Sequence, residues 1–261
     1  MAIPAACKIA SVASLVDLSD IKDFEAVMGD EGDVILVRCL RSYGAVDEIE
    51  LPTGRLAKLR IGDTLLGVLG NRDATKAIVG GIPKGGIDVS SKTTLHLLNA
   101  GGVIGVAKSF SIERGGSPLP LEPLGIAVKE DGSSVNLRDY AIAPWANKLK
   151  KVPPIIMLVS TSMESGKTTT AVEIIYHFVR ELGLKVAAVK LTGVARLKDL
   201  LAMKDAGAEP CLSFVHAGLP STTTDREKVI AAAKGLLNFV SRKNPDFIVA
   251  EMGGSLFGEG V

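Results

Sequence analysis

Residues 159–170 combine side chains that can bind a phosphate group and a metal ion. They read VSTSMESGKTTT, in which a lysine and a threonine directly follow a glycine. An apolar run precedes this segment and an amphipathic pattern follows it, so it is predicted to join a strand to the start of a helix. A helix N-terminus has unpaired N–H groups and a partial positive charge, which attract phosphate. Lys167 can then reach the outer phosphates of a nucleotide, and the Thr168 hydroxyl can ligate Mg²⁺.

The segment fits the phosphate-binding loop pattern GxxxxGK[ST], except that Thr161 stands in the place of the first glycine. A helix-capping turn that binds no ligand is the alternative interpretation. Glu164 places an acid inside the loop, where it either points outward or lowers the affinity for phosphate. The predicted nucleotide contacts are consecutive in the chain: Thr161, Ser162, Met163, Glu164, Ser165, Gly166, Lys167, Thr168 and Thr169.

Two further charged residues lie at the ends of predicted buried strands. Lys190 lies in the sequence AVKLTG and Glu251 in the sequence VAEMGG. A charge at the end of a buried strand favours a site, because leaving it in the core would be costly. Lys190 is predicted to hold a substrate carboxylate or phosphate, or else to be a surface lysine. Glu251 is predicted to ligate Mg²⁺ or to act as the base for an Mg²⁺-bound water, or else to be a surface or helix-capping carboxylate.

Two loops between these strands are weaker candidates. Asp205, or Glu209 four residues later, is predicted to supply a further Mg²⁺ contact, and an exposed turn at a helix end is the alternative. Residues 221–224 read STTT, which predicts a hydroxyl-rich loop that nucleotide would order. Plain helix capping accounts for Thr224 alone.

The composition excludes several classes of protein. A net charge of +1 and 4% aromatic residues do not favour binding to nucleic acid or to an anionic membrane. The three cysteines form no CxxC pair, so neither a disulfide framework nor a zinc site is predicted and the cytoplasm is the expected compartment. No apolar run approaches the ~20 residues of a membrane span. The chain has 261 residues, enough for one large domain or two ordinary ones.

Residues 1–145 are predicted to form a small all-β domain, barrel-like or sandwich-like, because short apolar runs alternate with turn residues. One helix is predicted at its start, over residues 18–28. A linker with prolines and lysines follows, over residues 146–154. The predicted strands are 34–39, 48–51, 55–60, 64–69, 76–79 and 121–128.

Residues 155–261 are predicted to form an α/β domain with a parallel sheet, because apolar strands alternate with helical patterns. The helix that opens with the sequence TDRE is predicted to start with a capping box at Thr224. The other helices are predicted over 167–182 and 194–206, and the strands over 155–159, 185–191 and 246–251. In such a sheet, ligands bind at the carboxyl ends of the strands. Because the chain stops soon after the third strand, this P-loop domain is expected to be incomplete.

The residues of the C-terminal part resemble the dethiobiotin synthetase-like branch of P-loop proteins, which is related to the MinD and nitrogenase iron-protein ATPases. The resemblance rests on the phosphate loop, on Lys190 with its LTG segment, and on Glu251 with two following glycines. Residues 205–209 and 251–256 also resemble uncharacterised P-loop proteins linked to D-glutamate N-acylation. Residues 165–190 are similar to molybdopterin-guanine dinucleotide adapter proteins.

This resemblance implies a nucleotide, most simply ATP with GTP as the alternative, together with Mg²⁺. It implies an ATP-dependent ligase, a kinase or an NTP hydrolase, with Lys167, Lys190 and Glu251 as catalytic residues and Thr168, Glu251 and Asp205 as metal contacts. A small acidic substrate is the expected partner, and a homodimer is a further expectation. Ser162 stands where MinD-type ATPases have a second lysine, which argues against a dimer that crosses lysines between sites. A regulatory or adapter NTPase, with the β domain as the partner-binding module, is the alternative.

Overall fold

The computed structural model describes residues 2–74, 77–90, 93–112, 116–161 and 165–253. The chain divides into two compact units. Unit 1 comprises residues 1–140 and two short segments from later in the chain, 194–196 and 218–221. Unit 2 comprises residues 141–193, 197–217 and 222–261.

Unit 1 consists of strands and short 3-10 helices in the part of the chain that the structure describes. The 3-10 helices are Ser11–Ala13, Leu18–Asp20 and Leu137–Tyr140. The strands are β1 (Lys8–Ile9), β2 (Asp23–Glu25), β3 (Met28–Gly29), β4 (Val34–Cys39), β5 (Glu48–Glu50), β6 (Leu56–Lys58), β7 (Thr64–Leu69), β8 (Arg72–Asp73), β9 (Ile78–Gly81), β10 (Ile87–Asp88), β11 (Leu95–Leu97), β12 (Val103–Phe110) and β13 (Leu119–Val128).

The pairings of five strands in unit 1 close a ring. Going round it, β4 pairs with β7, β7 with β12, β12 with β11, β11 with β13, and β13 with β4. Only the β7–β12 pair among these five is parallel. The ring is a small barrel, and many apolar side chains of its strands are fully buried, for example Leu36, Leu66, Leu97 and Leu121. Closure leaves these five strands without a free edge.

The prediction of a helix over residues 18–28 is wrong. A single 3-10 turn ends at Asp20, and β2 then pairs with β13. Phe24 is buried between the exposed Asp23 and Glu25, so the apolar residue belongs to an alternation of period two rather than to a helical stripe. Strands β4 and β7 have the predicted bounds.

Unit 2 contains a sheet of four parallel strands among the described residues, in the order β14-β17-β15-β16. These strands are β14 (Ile155–Leu158), β15 (Val186–Thr192), β16 (Cys211–Ser213) and β17 (Phe247–Met252). The helices between them are α1 (Lys167–Tyr176), α2 (Lys198–Asp205) and α3 (Arg226–Ser241). A π-helical turn, His177–Glu181, follows α1, and a 3-10 turn, Phe214–Ala217, follows β16. The prediction of a parallel sheet in this part of the chain is confirmed.

One face of this sheet packs against α1 and α2. The core there is formed by buried side chains from both helices and from alternate strand residues: Ala171, Ile175, Val186, Ala188, Met203, Ala206, Ala208 and Val249. Because side chains alternate along a strand, Lys190 follows Val186 and Ala188 onto this face, and Glu251 follows Val249. The two charged residues therefore face the helices whose first turns lie at the same end of the sheet.

The helices of unit 2 differ from the predicted ones at their ends. The first begins at Lys167 as predicted, but it changes into the π-helical turn at His177. The second begins at Lys198 rather than at residue 194, because Val194 forms a β-bridge with Ser221 and the Ala195 N–H donates to the Pro220 carbonyl at 3.0 Å. The third is capped by Asp225, whose carboxylate accepts the N–H groups of residues 227 and 228, and not by a Thr224 capping box.

Within the described residues, the helices are too short or too polar for any of them to cross a bilayer.

Candidate functional site

The carboxyl ends of β14, β15 and β17 meet at one edge of the sheet of unit 2. In the parallel register, Glu251 is the partner of Leu158 on one side and of Lys190 on the other. The loop that leaves β14 carries Ser160 and leads to α1. The structure thus brings together the three strand ends on which the sequence placed its candidate residues.

The predicted phosphate loop ends at Gly166, which has a left-handed backbone (φ 84°) and serves as the N-cap of α1. A β-carbon is disfavoured in that conformation, so glycine suits this turn. The Lys167 ammonium donates to the Ser160 hydroxyl at 2.6 Å and lies 3.5 Å from the Ser165 hydroxyl. Burial lowers the pKa of Lys167, and the nearby Glu251 carboxylate partly opposes that effect.

Four other predicted loop contacts lie at the surface of unit 2: Thr161, Ser165, Gly166 and Thr169. Their exposure leaves room for a ligand at the start of α1. Ser162, Met163 and Glu164 lie outside the described residues.

Thr168 at the start of α1 is hydrogen-bonded to Glu251 near the end of β17. The Thr168 hydroxyl lies 3.1 Å from each oxygen of the Glu251 carboxylate, so one donor is shared between both oxygens. Burial raises the pKa of Glu251, while the Lys190 ammonium acts in the opposite direction. A hydroxyl and a carboxylate are oxygen donors of the kind that Mg²⁺ prefers.

Lys190 is buried beside this pair, and its ammonium bonds to the Asp199 carboxylate at the start of α2. The Glu251 carboxylate is farther from the same ammonium, at 3.9 Å. Sequence reasoning missed Asp199. The available signal was an acid nine residues after Lys190, within the helix predicted to follow the same strand.

Asp205 and Glu209 are not part of this arrangement. Asp205 is exposed at the last residue of α2, and the backbone N–H of Glu209 donates to Val186 at the first residue of β15. Both acids therefore lie at the opposite edge of the sheet from Glu251. No group of three or more His, Cys, Asp or Glu side chains suited to a metal ion occurs in the described part of the chain.

Hydrogen bonds tie the ends of β15 and β17 together at this edge. The Thr192 hydroxyl donates to the carbonyl of Gly253 at 3.0 Å, and the Gly253 N–H donates to the Thr192 carbonyl at 3.0 Å. The buried Thr222 accepts the N–H of Gly193 on its hydroxyl at 2.9 Å and donates its own N–H to the Gly193 carbonyl at 2.9 Å. One residue of the predicted hydroxyl-rich loop thus fastens the turn after β15.

Among the described residues, two ammonium groups and two carboxylates meet at this edge. The ammonium groups of Lys167 and Lys190 face the carboxylates of Asp199 and Glu251, with the Thr168 hydroxyl between α1 and β17. A helix N-terminus, a lysine in its first turn and a hydroxyl–carboxylate pair are the parts needed to hold a phosphate chain together with a divalent cation.

No protein-family model matches the chain, and no curated protein matches it significantly. Among solved structures, it is similar to the 54 kDa protein of the signal recognition particle from Aeropyrum pernix, determined in complex with GDP. The identity is 22%, over 48% of this chain and 27% of that one, with a TM-score of 0.29. The chain thus spans about a quarter of that protein's length, and a likeness this low carries no conclusion about function.

Proposed function

We propose that unit 2 binds a nucleoside triphosphate with Mg²⁺ and transfers its terminal phosphoryl group. The observation that carries the proposal is the sharing of the Thr168 hydroxyl between both oxygens of Glu251, at 3.1 Å each, one residue after Lys167. The hydroxyl and the carboxylate come from a helix N-terminus and from the end of a neighbouring strand. This pairing supports a cation site directly beside a phosphate site.

Each residue has a distinct role in this proposal. Lys167 stabilises the negative charge that spreads over the phosphoryl oxygens during transfer, together with the backbone N–H groups at the start of α1. Thr168 and Glu251 would hold Mg²⁺. When bound, Mg²⁺ neutralises phosphate charge and polarises the phosphoryl oxygens. Ser160 holds the Lys167 ammonium at the mouth of the loop through the 2.6 Å hydrogen bond.

The first candidate acceptor is a small carboxylic acid, as in an ATP-dependent ligase or a kinase, with ATP as the first candidate donor and GTP as the alternative. Lys190 lies close enough to the cation site to hold the acid. An acid bound there would have to displace the Asp199 carboxylate from the ammonium. Water is therefore the second candidate acceptor, which would make the chain an NTP hydrolase.

A regulatory NTPase is the second candidate function, and the course of the chain favours it. Residues 194–196 and 218–221 belong to unit 1, while the residues that flank them, among them Gly193 and Thr222, belong to unit 2. The Gly193–Thr222 hydrogen bonds therefore join two points at which the chain passes between the units. A change at the strand ends on nucleotide binding would be passed on through continuous backbone.

Calorimetric titration of the whole chain with ATP and with GTP, each with and without Mg²⁺, tests the proposal. We expect Mg²⁺-dependent binding of at least one nucleotide, and its loss in Lys167→Ala. The matched control is Lys204→Ala, which removes an exposed lysine from α2. Equal nucleotide affinity in wild type and Lys167→Ala would contradict the site. The rate of nucleotide turnover with added carboxylic acids, compared with the rate in water alone, then decides which of the two candidate acceptors is used.

A further inference from the structure

We infer that Asp199 is a positioning residue: it holds the Lys190 ammonium away from Glu251 and so keeps the Glu251 carboxylate available to a divalent cation beside Thr168. This inference rests on the proposed function and specifies how its cation site is kept open. It gives Lys190 a different role from that of a substrate anchor.

The three side chains lie in one buried row. Their exposed fractions are 9% for Lys190, 14% for Asp199 and 4% for Glu251. The Lys190 ammonium makes its hydrogen bond with Asp199, whereas Glu251 Oε1 is 3.9 Å away, beyond hydrogen-bond length. Since the two carboxylates compete for one ammonium, the geometry shows that Asp199 has the closer contact.

This preference matters because attraction between opposite charges is strong where water is excluded. If Lys190 closed onto Glu251, the ammonium would occupy a carboxylate oxygen that a cation needs. With Lys190 bonded to Asp199, both Glu251 oxygens lie 3.1 Å from the Thr168 hydroxyl instead. Lys190 in turn offsets the repulsion between two buried acids, which together would be costly without a cation.

The backbone places the three residues for these roles. Lys190 and Glu251 are register partners on adjacent parallel strands, and the register shifts directly after Lys190, so Leu191 is an extra residue in β15. An irregularity of this kind bends a strand end and redirects its side chains. Asp199 is the second residue of α2, where the helix dipole favours a carboxylate. The dipole and the ammonium thus both hold Asp199 in place.

A Mg²⁺ titration with a variant series tests the inference, with Mg²⁺-dependent nucleotide binding as the readout. In Asp199→Asn, Lys190 is expected to close onto Glu251, so the half-saturating Mg²⁺ concentration should rise about 10–100-fold. Nucleotide binding without Mg²⁺ should stay unchanged, because it depends on the phosphate loop. Glu173→Gln, which alters an exposed acid of α1, is the matched control.

The double variant Asp199→Asn with Lys190→Met gives the decisive comparison. Without the Lys190 ammonium, this competitor of the cation for Glu251 is gone, so this variant should bind Mg²⁺ more tightly than Asp199→Asn alone, by up to about tenfold. A double variant that binds Mg²⁺ no better than Asp199→Asn would overturn the inference, since Asp199 would then act as a cation ligand itself. An Asp199→Asn variant with unchanged Mg²⁺ dependence would overturn it as well.

A second readout needs no nucleotide. Thr168→Val removes the hydroxyl that bonds to Glu251, and it should lower the melting temperature of the wild type by on the order of 4 °C. In the Asp199→Asn background the same change should lower it by much less, because Glu251 has already turned to Lys190. An equal loss in both backgrounds would refute the positioning role. If the wild type binds no Mg²⁺-nucleotide, the proposed function fails. The two changes in melting temperature caused by Thr168→Val, in the wild type and in Asp199→Asn, still decide whether Asp199 positions Lys190.

Discussion

Each unit of this protein contains a cluster of opposite charges that includes a buried acid, and the two clusters have different surroundings. In unit 1, the fully buried Glu50 accepts the Ser11 hydroxyl at 2.6 Å and lies 3.7 Å from the Arg196 guanidinium. In unit 2, Lys190 lies between the carboxylates of Asp199 and Glu251. Burial alone would mark both clusters as unusual and would not tell them apart.

The clusters differ in what lies beside them. Glu50 ends β5, and Arg196 belongs to the segment 194–196, which is also held by a 2.6 Å hydrogen bond from Asn99 to the carbonyl of Ala195. This cluster fastens a passing segment of chain to the barrel unit. The unit 2 cluster lies at the carboxyl ends of parallel strands, next to the N-terminus of α1. A buried charge therefore indicates a ligand site only where the backbone around it can also bind a ligand, as strand ends beside a helix N-terminus can.

The largest expected effect comes from Glu251→Gln, which removes the negative charge of this side chain in the unit 2 cluster and keeps the shape of the side chain. Mg²⁺-dependent nucleotide binding should fall at least about 100-fold, since a cation ligand loses its charge. Binding without Mg²⁺ should persist, because Lys167 and the helix terminus are intact. Calorimetric titration with nucleotide, in the presence and in the absence of Mg²⁺, measures this. If nucleotide binding by the variant kept its full Mg²⁺ dependence, the unit 2 cluster would not be a cation site, and nothing would then distinguish it from the unit 1 cluster.

The matching change in unit 1 is Ser11→Ala, which takes away the 2.6 Å hydrogen bond to Glu50. A hydrogen bond to a buried charged group contributes about 1.5–3 kcal/mol, so the free energy of unfolding should fall by that amount. Nucleotide affinity should not change. Urea unfolding followed by titration of the folded variant checks both points, and a stable variant with weakened nucleotide binding would show that this cluster has a functional role.

The pH dependence of Mg²⁺ affinity gives a smaller effect. Burial raises the pKa of Glu251, with Lys190 acting against it, and only the ionised carboxylate can ligate a cation. As pH falls through this raised pKa, protonation removes the ligand, so the affinity for Mg²⁺ should decline at a higher pH than for an ordinary glutamate, by up to about tenfold per pH unit. Metal-free nucleotide binding, measured over the same pH range, is the reference. A Mg²⁺ affinity that is flat down to the ordinary glutamate pKa would be inconsistent with a buried ligand.

The smallest effect is expected for Asp205→Asn. Because this side chain is exposed at the end of α2 and at the opposite edge of the sheet, Mg²⁺ affinity and melting temperature should both stay within the error of measurement. A weakened Mg²⁺ affinity in this variant would show that Asp205 contributes to the cation site, as the sequence predicted.

Local patterns were readable from the sequence. A GKT sequence after an apolar run predicts where a helix begins, and α1 begins at Lys167. Alternation of apolar residues and turn residues predicted β4 and β7 with their bounds. The order of strands and helices then indicated that Lys190 and Glu251 would reach one edge of the sheet.

Features that depend on long-range contacts were not readable. The 3-10 turn and strand that replace the helix expected over 18–28 form because β2 pairs with β13, about a hundred residues later. Residues 194–196 leave the predicted helix because Asn99 binds the backbone at Ala195. Asp199 reaches Lys190 only because α2 packs on the same face of the sheet. The spacing of residues along the sequence does not show which of these segments come into contact.

The most direct test of the central claim is a crystal structure of the full chain with Mg²⁺ and a non-hydrolysable ATP or GTP analogue. We predict the outer phosphates at the Lys167 ammonium, and Mg²⁺ at about 2.0–2.1 Å from the Thr168 hydroxyl with Glu251 beside it. Asp199 should still hold Lys190. An analogue bound away from α1, or a cation that does not contact Thr168, would contradict the account.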